Sequence, residues 1–419
     1  MNTQVPNRSI IAVAGVLMQM ALGAVYAWSV FRIPLTHTYG WSVSQVTAAF
    51  ELAILVLGFA AFGGGIWMRR AGPRTIVAVA ALLYGLGTAL AGTAKTLPML
   101  YLTYGVIAGA GLGLGYIVPV AVLVRWFPDR RGMITGIAVG GFGAGALITA
   151  PIAQRLIASV GVSTTFLILG IAYFAIIMLA AMVMKNPPEG YAPPNFQAST
   201  ARNAAARDFT LGQALHTWQW YALWLTLFLN TTAGIAIISQ ASPMAQEISH
   251  VNAATAAGLV GIISIANGSG RFLWAWLSDA IGRKTVFVTM FLIQAAAFFL
   301  LSHVVAFVSL AILAFVVLLC YGGGFGTMPA FAADYFGSKD IGSIYGLMLT
   351  AWGAAGVVGP NLIADVRQAT GQYQGALTIM SLVALVSAIV PVLLRPAALP
   401  QTSSGSEVRH DRISRPMAS

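Results

Sequence analysis

Residues 264–284 read SIANGSGRFLWAWLSDAIGRK, and one arginine, Arg271, stands within this largely apolar run. On insertion scales, an arginine at the centre of a membrane helix costs about 2.5–3.5 kcal/mol. Such side chains therefore face a protein interior or a wet cavity, and a functional role is the default hypothesis. We expect Arg271 to point into a bundle of helices.

The composition is that of an integral membrane protein. Of the 419 residues, 58% are apolar and 8% are charged, whereas an average soluble domain is about 25% charged. The 45 glycines are typical of membrane helices that pack closely. The single cysteine, Cys320, excludes an internal disulfide.

Twelve stretches are suited to cross a bilayer as helices, which takes about 20 apolar residues each. No sustained alternation of polar and apolar residues suggests a membrane β-barrel. The predicted fold is therefore an all-α membrane protein with twelve transmembrane helices. The twelve stretches are residues 10–33, 46–68, 75–93, 97–124, 133–156, 164–184, 220–242, 254–277, 285–302, 305–333, 342–363 and 375–394.

The basic residues indicate how the chain crosses the membrane. With the N-terminus inside, 17 of the 22 Lys and Arg residues fall on the cytoplasmic side and four on the outer side, and Arg271 is the remaining one. This asymmetry follows the positive-inside rule, so the net charge of +11 reflects topology and not a nucleic-acid partner. We predict a multi-pass protein of the cell (inner) membrane with both termini in the cytoplasm.

One long polar stretch divides the spans into two groups of six. It contains four prolines and a Ser/Ala/Asn/Arg run, which is typical of a flexible linker. We predict an N-terminal half at 1–186, a cytoplasmic linker at 187–217, a C-terminal half at 218–396 and a polar cytoplasmic tail at 397–419.

The two halves repeat at an offset of 210 residues. Under this register Arg271 falls on Ala61, so the buried charge belongs to the second half alone. Two parallel six-helix repeats are typical of transporters in which one half rocks against the other. The matching positions include Pro119 with Pro329, Gly58 with Gly268, and Gly132, Gly136 and Gly143 with Gly342, Gly346 and Gly353.

Residues 275–284, AWLSDAIGRK, resemble the loop signature of the major facilitator superfamily, G-x-L-x-D-x-x-G-R-K. The resemblance rests on Asp279, Gly282 and Arg283, and it implies a gating loop and not a substrate site. The first-half copy at residues 65–74 departs from the signature, because Arg69 stands where the signature has Asp. With the twelve spans and the repeat, the resemblance covers nearly the whole chain.

Within that superfamily, the chain resembles the branch of oxalate:formate antiporters and monocarboxylate porters. Residues 125–132 (RWFPDRRG), residues 26–28 (YAW) and the pair Asn267 and Arg271 carry this resemblance. It implies an aromatic pocket whose tyrosine hydroxyls donate to a carboxylate. For any single tyrosine, packing in the core is the alternative. The implied pocket residues are Tyr26, Tyr116, Tyr321 and Phe325.

Arg271 is expected near the midplane of the bilayer, where transporter sites lie. It precedes Asp279 by eight residues, which is about 12 Å of helix, and half of a hydrocarbon core is about 15 Å. Asn267 lies one turn earlier on the same face, and no acidic residue is expected at this depth. We predict that Arg271 and Asn267 bind a substrate carboxylate. An arginine paired structurally with a neighbouring helix is the alternative.

Trp352 determines the expected charge of the substrate. The resemblance implies that oxalate carriers have a lysine at this position, where the present chain has an indole. Oxalate bound to Arg271 alone would keep one buried negative charge uncompensated. We therefore predict a monocarboxylate such as lactate, pyruvate, acetate or formate, with helix packing as the alternative role of Trp352.

No residue is evident as the carrier of a coupled proton. Animal-type monocarboxylate porters, which this stretch resembles, have Asp at the position of Asn267, and an amide does not titrate. Glu51, His37 and His250 are candidates, although all three are expected near the outer face. A proton that moves with the substrate is the alternative.

The leading functional hypothesis is a monomeric carrier that moves lactate or pyruvate together with H⁺ by alternating access. Anion exchange of the oxalate:formate kind is the second hypothesis. A receptor built on a transporter fold is disfavoured, because the linker and the tail are too short for a signalling domain. An enzyme is disfavoured because no nucleophile–base pair, metal cluster or nucleotide motif appears, and we predict no cofactor and no metal site.

Overall fold

The computed structural model describes residues 7–193 and 208–396, and these residues form helices and short connections without a strand. We number the long helices α1 to α12 in chain order, and a short helix, Leu211–Leu215, precedes α7. Their bounds are α1 (Arg8–Gly23, Ala24–Ala27 and Trp28–Tyr39), α2 and α3 (Val43–Ala91, divided at Gly72), α4 (Leu97–Leu100, Tyr101–Ala108 and Gly109–Trp126), α5 and α6 (Arg131–Val183, divided at Gly161), α7 (Trp218–Ser249), α8 (Ala253–Ile281), α9 (Arg283–Leu301), α10 (Phe307–Phe336), α11 (Ile341–Met348 and Thr350–Thr370) and α12 (Gln374–Ser387 and Ile389–Leu393).

The helices are long and apolar enough for a membrane protein of twelve spans. Nine stretches of the described residues meet this description by length and hydropathy. Two of them, Ala48–Ala91 and Arg131–Val183, each contain two helices that a glycine divides. The helix α8, which carries Arg271, is not among the nine and completes the twelve. The predicted all-α fold with twelve membrane helices is confirmed.

Sharp turns recur at the 210-residue offset of the repeat. At three pairs of equivalent positions both residues have positive φ, a conformation that costs glycine little. His250, with φ 53°, is the only non-glycine residue of this kind in the described chain, and it stands at the end of α7 where its counterpart ends α1. The two halves therefore turn at the same places. The pairs are Gly40 with His250, Gly72 with Gly282, and Gly161 with Gly371.

The predicted linker lies partly outside the described residues, which omit 194–207, and the predicted tail at 397–419 lies wholly outside them. Where the description resumes, the Asp208 carboxylate accepts hydrogen bonds from the N–H groups of Ser338 (3.0 Å) and Lys339 (3.2 Å). The segment before α7 is thus attached to the α10–α11 connection. The domain limits at 186/187, 217/218 and 396/397 stay predictions.

Two interrupted helices bring predicted site residues to irregular backbone. Tyr26 lies in the 3₁₀ turn Ala24–Ala27, which separates the two parts of α1. Trp352 follows the interruption of α11 at Leu349, and its N–H donates to the Leu349 carbonyl (3.0 Å). Short 3₁₀ segments inside long helices often mark functional hinges.

Glycines in α10 allow its backbone to lie directly against α8. A Cβ on Gly322 would overlap the carbonyl oxygen of Asn267, and a Cβ on Gly326 would overlap that of Arg271. Small residues permit this approach between membrane helices. The backbones of both predicted carboxylate ligands are thereby held against a second helix.

The two halves meet at one end of the bundle, which we call the Asp279 face. There the Asp279 carboxylate accepts hydrogen bonds from the N–H groups of Gly132 (3.0 Å) and Met133 (2.7 Å) at the start of α5. On the other side of the same end, Arg69 Nη1 lies 3.0 Å from Asp340 Oδ2. Both contacts join the first half to the second, so the Asp279 face is closed in this structure.

Candidate substrate-binding site

Arg271 is fully buried inside the bundle. Its Nε donates to Asn267 Oδ1 (3.2 Å), one turn earlier on α8, and its Nη1 donates to the Val139 carbonyl of α5 (3.3 Å). The second contact crosses from one half of the protein to the other. The Nη2 of Arg271 forms no hydrogen bond of normal geometry with the described residues, although Tyr26 lies near the guanidinium. The described residues thus fix two guanidinium nitrogens and leave the third without a well-formed hydrogen bond.

Two phenylalanine rings flank the guanidinium, one from each half. The Arg271 Cζ lies 5.3 Å from the ring centroid of Phe142 and 5.1 Å from that of Phe325. A cation over an aromatic ring gains about 2 kcal/mol or more where both are desolvated. The rings supply no negative charge, so the site keeps one net positive charge.

Trp352 forms an apolar wall beside the arginine. It is 1% exposed, and its ring joins aromatic residues from both halves. Tyr321 extends the group, with its ring 5.2 Å from Phe325. This arrangement suits the apolar end of a small anion. The ring centroid of Trp352 lies 4.8 Å from Phe325, 6.1 Å from Tyr116, 6.2 Å from Tyr26 and 6.3 Å from Phe142.

Four tyrosine hydroxyls lie near the guanidinium without a hydrogen bond of normal geometry. They belong to Tyr26, Tyr116, Tyr321 and Tyr345, and each oxygen is buried. All four hydroxyls interact electrostatically with the charge of Arg271. Tyr26 neighbours Tyr321, and Tyr116 neighbours Tyr345. An unsatisfied buried polar group costs about 1–3 kcal/mol, so an incoming acceptor would be stabilised here.

The seven residues that the sequence predicts for substrate binding are brought together around this site. Sequence reasoning missed the Val139 carbonyl and two side chains, Phe142 and Tyr345. Two signals could have found those side chains. Tyr345 precedes Trp352 by two helical turns and shares its face, and Phe142 is the one bulky residue in the glycine-rich run 140–145. The seven are Arg271, Asn267, Tyr116, Tyr321, Phe325, Trp352 and Tyr26.

Acidic partners of Arg271 are absent from the described chain, where no Asp or Glu forms an ion pair with it. The three candidate proton carriers, Glu51, His37 and His250, are exposed and lie outside the buried site. As proton carriers all three stay predictions. Among the described residues Arg271 thus has hydrogen-bond acceptors and aromatic rings as neighbours but no protein anion that compensates its charge.

The predicted gating loop forms a network at the Asp279 face. Gly282 turns the chain with φ 88°, which brings Arg283 Nη1 to 2.6 Å from Asp279 Oδ1. Arg283 Nε also lies 3.0 Å from Asp334 Oδ2, and Arg131 Nη1 of the first half lies 3.2 Å from Asp334 Oδ1. The loop therefore links the halves at a distance from Arg271, and its gating role stays a prediction.

The family model of the Major Facilitator Superfamily matches this chain over residues 11–360 and over residues 223–416. The uncharacterized MFS-type transporter YhjX of Escherichia coli K12 is 30% identical, over 84% of this chain and 86% of its own length. The oxalate:formate antiporter of Oxalobacter formigenes is 27% identical, over 92% of each chain. The crystal structure of the Escherichia coli fucose:proton symporter FucP has a TM-score of 0.70 at 18% identity, covering 92% of this chain and 99% of that chain. This last likeness concerns the fold alone.

Proposed function

The chain belongs to the Major Facilitator Superfamily, and we propose that it carries a small monocarboxylate of the lactate or pyruvate kind by alternating access. The family match and the transporter relatives confirm the prediction of a multi-pass membrane transporter and not an enzyme. The substrate and the residues that bind it are the proposal.

The unpaired guanidinium is the observation that carries this proposal. Arg271 is completely buried, lacks an acidic partner among the described residues and keeps Nη2 without an acceptor. A buried charge is stabilised by a hydrogen-bonded counter-ion. A substrate carboxylate supplies that counter-ion, and Asn267 holds the guanidinium in position for it.

The aromatic wall supports a substrate with one carboxylate. Trp352, Phe325 and Phe142 pack around the arginine, and none of them carries a charge. A dicarboxylate such as oxalate would bring a second negative charge against these rings, which is costly in a dry site. A short alkyl end gains from burial against them, at about 25 cal/mol per Å².

The closed Asp279 face supports a carrier in which the site is loaded from the opposite face. We assign the Asp279 face to the cytoplasm, because the basic residues concentrate there. Both termini are then cytoplasmic, and the protein acts as a monomer in the inner membrane. Rocking of the two halves would break the contacts of Asp279 and Asp340 and open the site to the cytoplasm.

Two coupling modes are proposed. In the first, a proton moves with the carboxylate, as in the leading hypothesis from the sequence. In the second, the carrier exchanges one anion for another. The lack of an acidic partner for Arg271 among the residues that the structure describes favours the second, because an empty carrier would have to close around an uncompensated charge.

Counterflow in proteoliposomes tests the function. Labelled L-lactate is offered outside vesicles that contain unlabelled lactate, formate or buffer, with and without a pH gradient. Uptake driven by the gradient into buffer-filled vesicles supports symport, and uptake that needs internal anion supports exchange. No uptake of lactate, pyruvate, acetate or formate under either condition would remove the proposed function.

Two arginine variants complete the experiment. Arg271→Ala is expected to abolish counterflow, whereas Arg367→Ala, which removes an exposed arginine paired with Glu247 (2.6 Å), is expected to keep it. Thermal unfolding of each purified variant separates loss of binding from loss of fold. Full counterflow by a folded Arg271→Ala protein contradicts the site assignment.

A further inference from the structure

Tyr345 lies on α11 two helical turns before Trp352, closer to the Asp279 face. Its side chain is fully buried, and its hydroxyl neighbours that of Tyr116 without forming a hydrogen bond of normal geometry among the described residues. This part of α11 packs against α4, since a Cβ on Gly342 would lie 3.5 Å from the Cβ of Ala121. The two helices run antiparallel, so one turn further Tyr345 meets Tyr116.

The site holds five buried polar groups without a hydrogen bond of normal geometry among the described residues. They are Arg271 Nη2 and the hydroxyls of four tyrosines, which neighbour one another in two pairs, Tyr26 with Tyr321 and Tyr116 with Tyr345. A carboxylate has two oxygens with about four lone-pair positions. An additional oxygen on carbon 2 would provide an acceptor for the hydroxyls that the carboxylate does not reach.

The tyrosines form two pairs that differ in their relation to Arg271. Tyr26 contacts the guanidinium directly and neighbours Tyr321, so this pair belongs with the carboxylate-binding end. Tyr116 neighbours Tyr345, and these two interact with the charge of Arg271 without contacting it. The second pair therefore lies beyond the carboxylate-binding end, within reach of the rest of the substrate.

We propose that Tyr345, together with Tyr116, recognises an oxygen on carbon 2, so that the carrier selects 2-hydroxy and 2-oxo monocarboxylates over plain ones. This inference rests on the proposed function and adds a specificity-determining residue to it. A site that hydrogen-bonds a substrate hydroxyl rejects the analogue without it, because the buried protein group is left unpaired.

The test compares L-lactate with propionate, which lacks only the 2-hydroxyl. Each acid competes with labelled pyruvate in counterflow, for the wild type and for Tyr345→Phe. For the wild type, lactate is expected to compete at a concentration at least about tenfold lower than propionate. In Tyr345→Phe this ratio is expected to fall below about threefold, through weaker lactate binding at unchanged propionate binding.

Tyr84→Phe is the matched control. Tyr84 is also buried, 2% exposed, but its hydroxyl donates to the Leu22 carbonyl (3.4 Å) and its ring stacks on Tyr173. This variant is expected to keep the wild-type ratio.

Equal competition by the two acids in the wild type overturns the inference while the proposed function stands. An equal loss for both acids in Tyr345→Phe also overturns it, because that result indicates a packing role. If the wild type moves no monocarboxylate, the proposed function and this inference fall together.

Discussion

Arg69 and Asp340 form an ion pair of 3.0 Å between α2 and α11, and the 210-residue offset places Asp279 at the position of Arg69. Asp279 makes the corresponding contact between α8 and α5, where its carboxylate accepts from the N–H groups of Gly132 and Met133. The acidic group thus stands near the end of α8 in one contact and at the start of α11 in the other. The departure of Arg69 from the loop signature is therefore matched by an acidic residue across the interface.

We predict that this ion pair helps to keep the Asp279 face closed. Asp340 is 5% exposed, so Arg69→Gln would remove the ion pair of a nearly buried carboxylate, at about 1–3 kcal/mol. The equilibrium is expected to shift about five- to hundredfold toward the state open at this face. The exchanged variant Arg69→Asp with Asp340→Arg restores the attraction, and closure is expected to return.

Thiol labelling measures that shift. In a Cys320→Ala background, a reporter cysteine at Gly140 lies between α5 and α8, where a Cβ would be 3.7 Å from the Gly268 carbonyl. A membrane-impermeant reagent applied from the Asp279 face is expected to label it faster in Arg69→Gln. Equal labelling of all three proteins would show that this ion pair has no role in closure.

Trp352→Lys is predicted to change the charge preference of the site. It would place a second cation on the face of α11 that packs against Phe325, so a dicarboxylate would no longer bring an uncompensated charge. Competition by oxalate in counterflow is expected to strengthen at least about tenfold relative to lactate. Trp352→Phe, which keeps an uncharged ring, is expected to keep the preference for lactate. Unchanged selectivity in Trp352→Lys counts against the pocket assignment.

The packing of α8 on α10 is predicted to be sensitive to a single methyl group. Gly326→Ala would force a Cβ against the carbonyl of Arg271, and overpacking of this kind costs about 1–3 kcal/mol. The control is Gly258→Ala on α8, where a Cβ meets no atom within 4 Å. In detergent, the midpoint of thermal unfolding is expected to fall by several degrees for Gly326→Ala alone. Equal midpoints for the two variants would contradict the prediction, because they would show that α8 and α10 can move apart without loss of stability.

The sequence predicts the parts of the site that one helix carries. Arg271 and Asn267 lie one turn apart on α8, so helical spacing alone brings them together, as the structure confirms. The high glycine content likewise predicts close helix contacts, and Gly322 and Gly326 form one of them. The repeat can be recognised in the sequence because turns with positive φ need glycine, or a residue that tolerates this conformation, at fixed positions.

The sequence did not predict contacts between helices that are far apart in the chain. The Val139 carbonyl is a backbone group, which carries no sequence signal, and its hydrogen bond to Arg271 depends on how α5 crosses α8. Phe142 and Tyr345 carry weak sequence signals, a glycine-rich run and a position two turns before Trp352, but a single aromatic residue on an apolar helix usually indicates core packing. Their role emerges only once both halves of the repeat enclose Arg271.

Binding of L-lactate to Arg271→Gln tests most directly the central claim that the counter-ion of Arg271 is the substrate. Glutamine keeps a polar side chain but removes the charge. Because no acidic residue in the described part of the chain pairs with Arg271, the substitution leaves no buried anion unpaired, and the variant is expected to unfold at the wild-type temperature or above it. Isothermal titration is expected to show lactate affinity reduced about a hundredfold or more, which is about 3 kcal/mol for a charged hydrogen-bonded contact. Lactate affinity equal to that of the wild type in a folded Arg271→Gln protein would contradict the claim.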